Sequence, residues 1–259
     1  MRTALTIAGS DSGGGAGIQA DLRTFQAHGV FGLSAITAIT AQNTLGVHAV
    51  QALDPGIVAA QIDAVAADFT ISAVKIGMLA NAEIVRAVAS AIDRHRLQPV
   101  VLDPVVIAKG GDALLAADAV NALRDELIPR ATVITPNLAE AEALTGRRVA
   151  SISDMRLAAA DLLRAGARAV VIKGGHLDGP AIDLFVDANF SEELSAPRLA
   201  TAHTHGTGCT FASAIAARLA LGDDLPSAVR AAKAYVHRAI ELAPGLGHGH
   251  GPLGTPDRP

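Results

Sequence analysis

The sequence predicts an α/β fold, with a central mostly parallel sheet flanked by helices. Three observations predict it. Short apolar, β-branched runs alternate with Ala-rich stretches of helical period along the 259 residues, the order that parallel βαβ units produce. Polar residues (Gln42, Asp103, Asn137 and Lys173) stand where the strand-like runs end, and open α/β sheets hold ligands beyond the carboxyl ends of their strands. Finally, Thr204-His205-Gly206-Thr207-Gly208-Cys209-Thr210 follows an extended segment and runs straight into an apolar helix. Two glycines at a helix start gather backbone N–H groups at one point, and the helix terminus adds about half a positive charge there. Such a point binds an anion, most often a phosphate.

Thr3–Ala8 reads as a buried strand, and Gly9 to Gly17 as a glycine-rich loop before a helix over Ile18–His28. Strand, loop and helix suggest a dinucleotide site, but Ile18 occupies the third glycine position of the fingerprint. Gln42 and Asn43, not an acidic residue, end the next strand. The dinucleotide reading fails. Val30–Thr40 and Val47–Leu53 read as strands, and Asp54-Pro55 opens a helix through Ala67 as cap and first residue. Val74–Met78 is a strand, and Asn81 caps a helix through His95. Pro99–Asp103 is a strand, Pro104–Asp112 a candidate lid loop, Ala116–Leu127 a helix and Thr132–Thr135 a strand. Helices near Ala139–Leu144 and Asp154–Ala165 follow, then strand Ala169–Lys173 entering two glycines. Ile182–Val186 and Leu194–Thr201 read as an antiparallel edge pair, before helices Cys209–Leu221 and Ser227–Leu242. No linker, repeat or low-complexity tract interrupts residues 1–259, which read as one domain with a loose tail from about 250 to 259.

Composition excludes several classes. Half the residues are apolar and 18% are charged, so the chain is globular, not disordered. Net charge is −4 without a run of Lys or Arg, which argues against nucleic acid, whose phosphates need clustered positive charge. A single Cys makes no internal disulfide or Cys-based zinc site and fits a reducing cytoplasm. The apolar run after Met1 is too short for a signal peptide, and no 18-residue apolar stretch spans a membrane.

The polar strand ends limit the chemistry. None of the four lysines follows a glycine, so there is no P-loop. Asp103 and the pair Asn137/Glu140 offer oxygen ligands of the kind Mg²⁺ takes alongside substrate phosphates. Asn137 followed three residues later by Glu140 is also an ordinary capping box. Lys173 is placed to reach a phosphate, or else is a solvated strand end. Cys209 is either a small buried hydrophobe or a thiol whose thiolate the helix start favours. Gly247-His248-Gly249-His250 reads as a glycine turn rather than a metal site. Anion hole, hard-cation ligands and a lysine together suggest phosphoryl transfer from a nucleotide.

The segment Ala8-Gly9-Ser10-Asp11-Ser12-Gly13-Gly14-Gly15-Ala16-Gly17-Ile18-Gln19-Ala20-Asp21-Leu22 closely resembles the opening of bacterial hydroxymethylpyrimidine/phosphomethylpyrimidine kinases of thiamin biosynthesis. So do Ala41-Gln42-Asn43-Thr44, Lys75-Ile76-Gly77-Met78-Leu79, Val101-Leu102-Asp103-Pro104-Val105, Thr135-Pro136-Asn137-Leu138-Ala139-Glu140, Lys173-Gly174-Gly175-His176 and the Cys209 segment. The likeness spans nearly the whole chain in order. It implies a ribokinase-like three-layer fold, MgATP as phosphoryl donor, and a small-molecule acceptor, 4-amino-5-hydroxymethyl-2-methylpyrimidine and then its monophosphate. It implies Gln42 on the aminopyrimidine edge, with Gly9, Asp21, Met78 and Val105 lining the substrate pocket. Asp103 and Glu140 would serve Mg²⁺, and Asn137, Lys173 and Thr204 the ATP. The amides of Gly206, Thr207, Gly208 and Cys209 would hold the transferring phosphoryl group. The wider ribokinase-like sugar kinases carry Asp where Cys209 stands, so a thiolate would act as base here. The resemblance also implies a homodimer, and pyridoxal kinase is the nearest alternative activity.

Overall fold

A computed structural model describes residues 1–106, 117–175, 177 and 179–256. Its strands are β1 (Thr3–Asp11), β2 (Phe31–Asn43), β3 (Gly46–Ala52), β4 (Val74–Ile76), β5 (Val100–Leu102), β6 (Val133–Ile134), β7 (Ala169–Lys173), β8 (Ala181–Asp187) and β9 (Ser191–Ala196). They form one sheet in the order β3-β2-β1-β4-β5-β6-β7-β8-β9. The centre, β2 to β7, is parallel. Antiparallel hairpins close both edges, β3 on β2 and β8–β9 on β7.

The helices are α1 (Gly17–Ala27), α2 (Pro55–Asp68), α3 (Ala82–His95), α4 (Ala117–Ala122), α5 (Leu138–Thr145), α6 (Ile152–Arg164), α7 (Thr207–Leu221) and α8 (Leu225–Glu241). Strand alternation sorts the core into two layers. Leu5, Ile7, Val100, Leu102, Val170 and Ile172 pack with α2, α3, α5 and α6. Their neighbours Ala4, Val101, Ala169 and Val171 face α1, α7 and α8. Residues buried on both faces explain why the central strands read as continuous apolar runs. The expected caps form: Asp54 accepts from the Gly56 and Ile57 amides, and Asn81 from that of Ile84.

Four expectations need correction. β1 does not stop at Ala8. It continues to Asp11 through a register shift between Ala8 and Ser10, where a side chain on Gly9 would lie 2.8 Å from Met78 Cε. The helix expected over Ala116–Leu127 is α-helical only to Ala122; it widens into a π turn over Leu123–Leu127 and ends in a 3-10 turn bearing Pro129. The last edge strand is Ser191–Ala196, not Leu194–Thr201, because Pro197 has no N–H to continue the ladder. Residues 250–254 are not loose. Gly251 accepts from the His205 amide at 3.1 Å, Gly254 donates to the Ala239 carbonyl at 2.9 Å, and Leu253 is 9% exposed. The candidate lid from residue 107 onward, His176, and residues 257–259 lie outside the described residues. Among the described residues no helix is long and apolar enough to cross a membrane.

Candidate active site

A cleft of about 1350 Å³ opens at the carboxyl ends of the strands. It is lined by Gln42, Gly9, Met78, Val105, Asp103, Asn137, Glu140, Lys173, Thr204, Gly206, Thr207, Gly208 and Cys209. Every expected site residue but one is there. The exception is Asp21, expected in the pocket wall but fully buried beneath it. Its carboxylate accepts from Lys75 Nζ at 2.8 Å, Thr6 Oγ1 at 2.6 Å and Ser213 Oγ at 2.7 Å. Asp21 thus ties α1 to β1, β4 and α7, the helix whose first turn carries Cys209. Burial would discharge Lys75, but Asp21, with Cys209 and Asp103 nearby, outweighs it and keeps the ammonium charged.

The glycine loop after β1 folds around a carboxylate of its own. Asp11 turns its own carboxylate into the loop and accepts from the amides of Gly13, Gly15 and Ala16 at 2.8, 3.0 and 2.8 Å. The anion that such a nest attracts is supplied by the chain. Burial alone would raise the Asp11 carboxyl; bonds from His205, Ala16 and Gly13 outweigh it and hold it below the ordinary carboxylate value. His205 Nε2 sits 2.9 Å from Asp11 Oδ2 and 3.2 Å from the side-chain amide of Gln42. Gln42 Oε1 also lies 3.1 Å from Thr40 Oγ1, whose one proton is shared between it and the Ser10 carbonyl at 2.8 Å. Gln42 is therefore held at the cleft wall by side chains from two directions. Asp11 and His205 went unassigned in the sequence, although both stand inside motifs quoted from it.

The second half of the cleft is anionic chemistry. β5 is followed at once by Asp103, whose Oδ1 accepts from Lys173 Nζ at 2.8 Å and Thr135 Oγ1 at 3.2 Å. Asn137 and Lys173 pair as an isolated parallel bridge, so α5 begins beside the end of β7. The capping box forms: Asn137 Oδ1 accepts from the Glu140 amide at 2.9 Å, and Glu140 Oε2 from the Asn137 amide at 2.7 Å. The capping role does not remove Glu140 from the site, since Oε2 is also 4.0 Å from Lys173 Nζ. Burial, with the charge of Asp103, pushes the Glu140 carboxyl up to about 7 against the pull of Lys173. Two carboxylates crowd one ammonium, and a divalent cation would relieve that crowding. The donor set fits Mg²⁺, which asks for one or two carboxylates and completes its shell with water and phosphate oxygens.

The two halves meet at α7. Gly206 adopts φ +82°, and a Cβ there would lie 1.9 Å from the Gly15 carbonyl oxygen, so only glycine fits. A Cβ on Gly208 would stand 3.0 Å from Lys173 Nζ and 3.5 Å from Asp103 Oδ2. The start of α7 therefore lies beside the lysine and the carboxylate; helix geometry leaves its first-turn amides without intrahelical acceptors, and that of Thr207 donates to the Thr204 carbonyl at 3.4 Å. Cys209 is half-buried and lines the cleft. The expected thiolate is not favoured. Burial, with the charges of Asp21 and Asp103, pushes the thiol up to about 11, and Lys75 and the Gly17 amide only partly offset this.

A family model described as phosphomethylpyrimidine kinase matches residues 11–254. The chain belongs to the phosphomethylpyrimidine kinase family. Among curated members, it is 52% identical over 251 residues to hydroxymethylpyrimidine/phosphomethylpyrimidine kinase of Bacillus subtilis, covering 96% of this chain and 93% of the relative. To that of Rhizobium meliloti it is 55% identical over 254 residues, covering 96% and 95%. Among solved structures, the Bacillus subtilis pyridoxal kinase in an ADP complex superposes with a TM-score of 0.92 at 40% identity, covering 98% of this chain and 97% of that one. Phosphomethylpyrimidine kinase of Clostridium difficile superposes at 0.84 and 44% identity, covering 93% and 100%. The phosphomethylpyrimidine kinase assignment carries the ribokinase-like α/β fold with it, matching the sheet flanked by helices described above.

Proposed function

We propose that this protein transfers the terminal phosphoryl group of ATP to the hydroxymethyl oxygen of 4-amino-5-hydroxymethyl-2-methylpyrimidine, and then a second one to the resulting monophosphate. The reading rests on one observation above the rest: a single cleft joins an amide side chain, Gln42, to the α7 amides, Lys173 and Asp103, in a chain of this family. An amide offers both donor and acceptor, as an aminopyrimidine edge does. Gly9, Met78 and Val105 give the flat ring an apolar wall.

In the first step the hydroxymethyl oxygen forms a bond to the γ-phosphorus, the bond from that phosphorus to the β-bridging oxygen breaks, and ADP leaves. The hydroxyl proton passes to Cys209 or to water. In the second step the nucleophile is an already ionised phosphate oxygen, which needs no base. The amides of Gly206, Thr207, Gly208 and Cys209 hold the group in flight, and Lys173 neutralises charge on it. Asn137 commits its carbonyl oxygen to α5 and keeps its NH₂ for phosphate; Thr204 shapes the turn, its carbonyl accepting from Thr207 Oγ1 at 2.7 Å. Asp103 and Glu140 would hold Mg²⁺, which neutralises phosphate oxygens when bound. Because transfer proceeds through a loose transition state, positioning and charge outweigh proton removal. That suits a thiol held largely protonated.

The test is a product assay with MgATP, in which the pyrimidine, its monophosphate and pyridoxal are run side by side and products resolved by mass. Pyrimidine diphosphate supports the reading. Phosphorylation of pyridoxal alone replaces it with the second reading, favoured by the close superposition on a pyridoxal kinase. A cytoplasmic homodimer belongs to the same reading; sedimentation checks the dimer and cell fractionation the compartment.

A further inference from the structure

The glycine–histidine segment 247–252 carries no role in the reading above, yet it is built into the cleft. Its amides reach one side: His250 donates to the Thr44 carbonyl at 2.8 Å, and Gly249 to Thr44 Oγ1 at 3.2 Å. Thr44 lies in the turn between β2 and β3, two residues past Gln42. Its carbonyls reach the other: Gly251 accepts from the His205 amide at 3.1 Å, and Pro252 pairs with His205 as a parallel bridge. His250 Nδ1 adds a contact to the Ala202 carbonyl at 3.0 Å, and His250 itself lines the cleft. Both attachments are tight. A Cβ on Gly249 would stand 2.2 Å from the Thr44 carbonyl oxygen, and one on Gly251 2.3 Å from His203 Nδ1.

We propose that residues 247–252 are a positioning strap for the acceptor substrate, fixing the hairpin turn that follows Gln42 against the loop that carries His205. The two attachments converge on the 3.2 Å contact between those side chains. Among the described residues, no hydrogen bond or ion pair joins the strap to Asp103, Glu140 or Lys173, which the ends of β5 and β7 and the start of α5 carry. The Thr44 attachment, which both test variants weaken, therefore acts on acceptor binding, whereas the His205 attachment also borders Thr204 and Gly206. This inference rests on the proposed placement of the acceptor at Gln42.

The experiment uses the full chain with Gly249→Ala and the milder Thr44→Val, which removes one acceptor of the strap and keeps its shape. KM is measured for acceptor and for ATP, with amide hydrogen exchange at Thr44 to Gly46 on the unliganded protein. Both variants should raise acceptor KM, Gly249→Ala by about tenfold or more, with ATP KM within about twofold and faster exchange confined to the turn. Acceptor KM unchanged in both variants, or ATP KM rising in parallel with it, overturns the proposal. If wild-type protein phosphorylates pyridoxal and not the pyrimidine, the same split is read with pyridoxal. The substrate reading then fails on its own, while the strap stands or falls on the KM split.

Discussion

At the scale of single residues, Cys209 is where sequence and structure part most sharply. A cysteine opening a helix looks activated in the sequence, since the helix terminus favours a thiolate. The fold sets that against burial and two carboxylates, Asp21 and Asp103, from elements far away in the chain, and the thiol is pushed up to about 11. Neither neighbour is legible from positions 206–210. A thiol titrating that high gives a signed pH dependence. If thiolate accepts the hydroxyl proton, the alcohol step speeds up with rising pH, by about tenfold per unit well below the pKa, while the monophosphate step stays flat. Cys209→Ala should slow the alcohol step by about a hundredfold, flatten its profile and spare the monophosphate step. Equal losses in both steps would mean that Cys209 only shapes the turn. Gln42 was legible because a polar side chain ending an apolar strand is conspicuous; its partner His205 was not, being 163 positions away in the sequence, nor was Asp11, which pairs with that histidine. Gln42→Leu keeps the volume and loses the amide, so acceptor KM should rise about 5- to 150-fold with ATP KM unchanged, measured by initial rates.

At the scale of elements, turn chemistry and caps were readable because they are local. Asp54, Asn81 and the Asn137–Glu140 box are fixed by neighbours two or three residues on. The π turn at Leu123–Leu127 and the true position of β9 were not, because packing and pairing decide them. The α7 turn separates two causes that a sequence confounds. Gly206 and Gly222 both adopt positive φ, +82° and +103°, but a Cβ at 222 meets nothing within 4 Å while one at 206 meets the Gly15 carbonyl at 1.9 Å. Gly222→Ala should cost only backbone strain, about 1–2 kcal/mol, and leave kcat intact. Gly206→Ala should cost more and abolish turnover, because the turn must move off the first-turn amides. Thermal unfolding and initial rates on the pair decide it; full activity in Gly206→Ala would remove the turn from the site. The same logic reassigns Asp21. A residue expected to touch substrate holds Lys75 in the core. Lys75→Met leaves an unpaired buried carboxylate and should cost about 3–5 kcal/mol. Lys75→Met with Asp21→Asn should recover part of that, as denaturant titration would show.

For the whole molecule, two carboxyl groups at the two ends of one cleft pull stability in opposite directions with pH. Asp11 is held below its ordinary value, so its contribution is present above about pH 4 and is lost as pH falls through the lowered value. Glu140 is raised from 4.5 to about 7. Below 4.5 the carboxyl is protonated in both folded and unfolded chains and costs nothing. Between 4.5 and about 7 the unfolded chain ionises while the folded one resists, so the folded state loses ground steadily, on the order of 3 kcal/mol in total. Above about 7 both are ionised and the loss is constant. The strain comes first from burial and then from the neighbouring Asp103 carboxylate, and a cation held by these two carboxylates would relieve it. In Mg²⁺-free buffer, Glu140→Gln should therefore match wild type in stability at pH 4.5 and gain on it progressively up to about pH 7, with the difference level beyond. Denaturant midpoints across that range measure it. A difference independent of pH would mean that Lys173 fully offsets burial and Asp103, leaving Glu140 to ionise alike in the folded and unfolded chains.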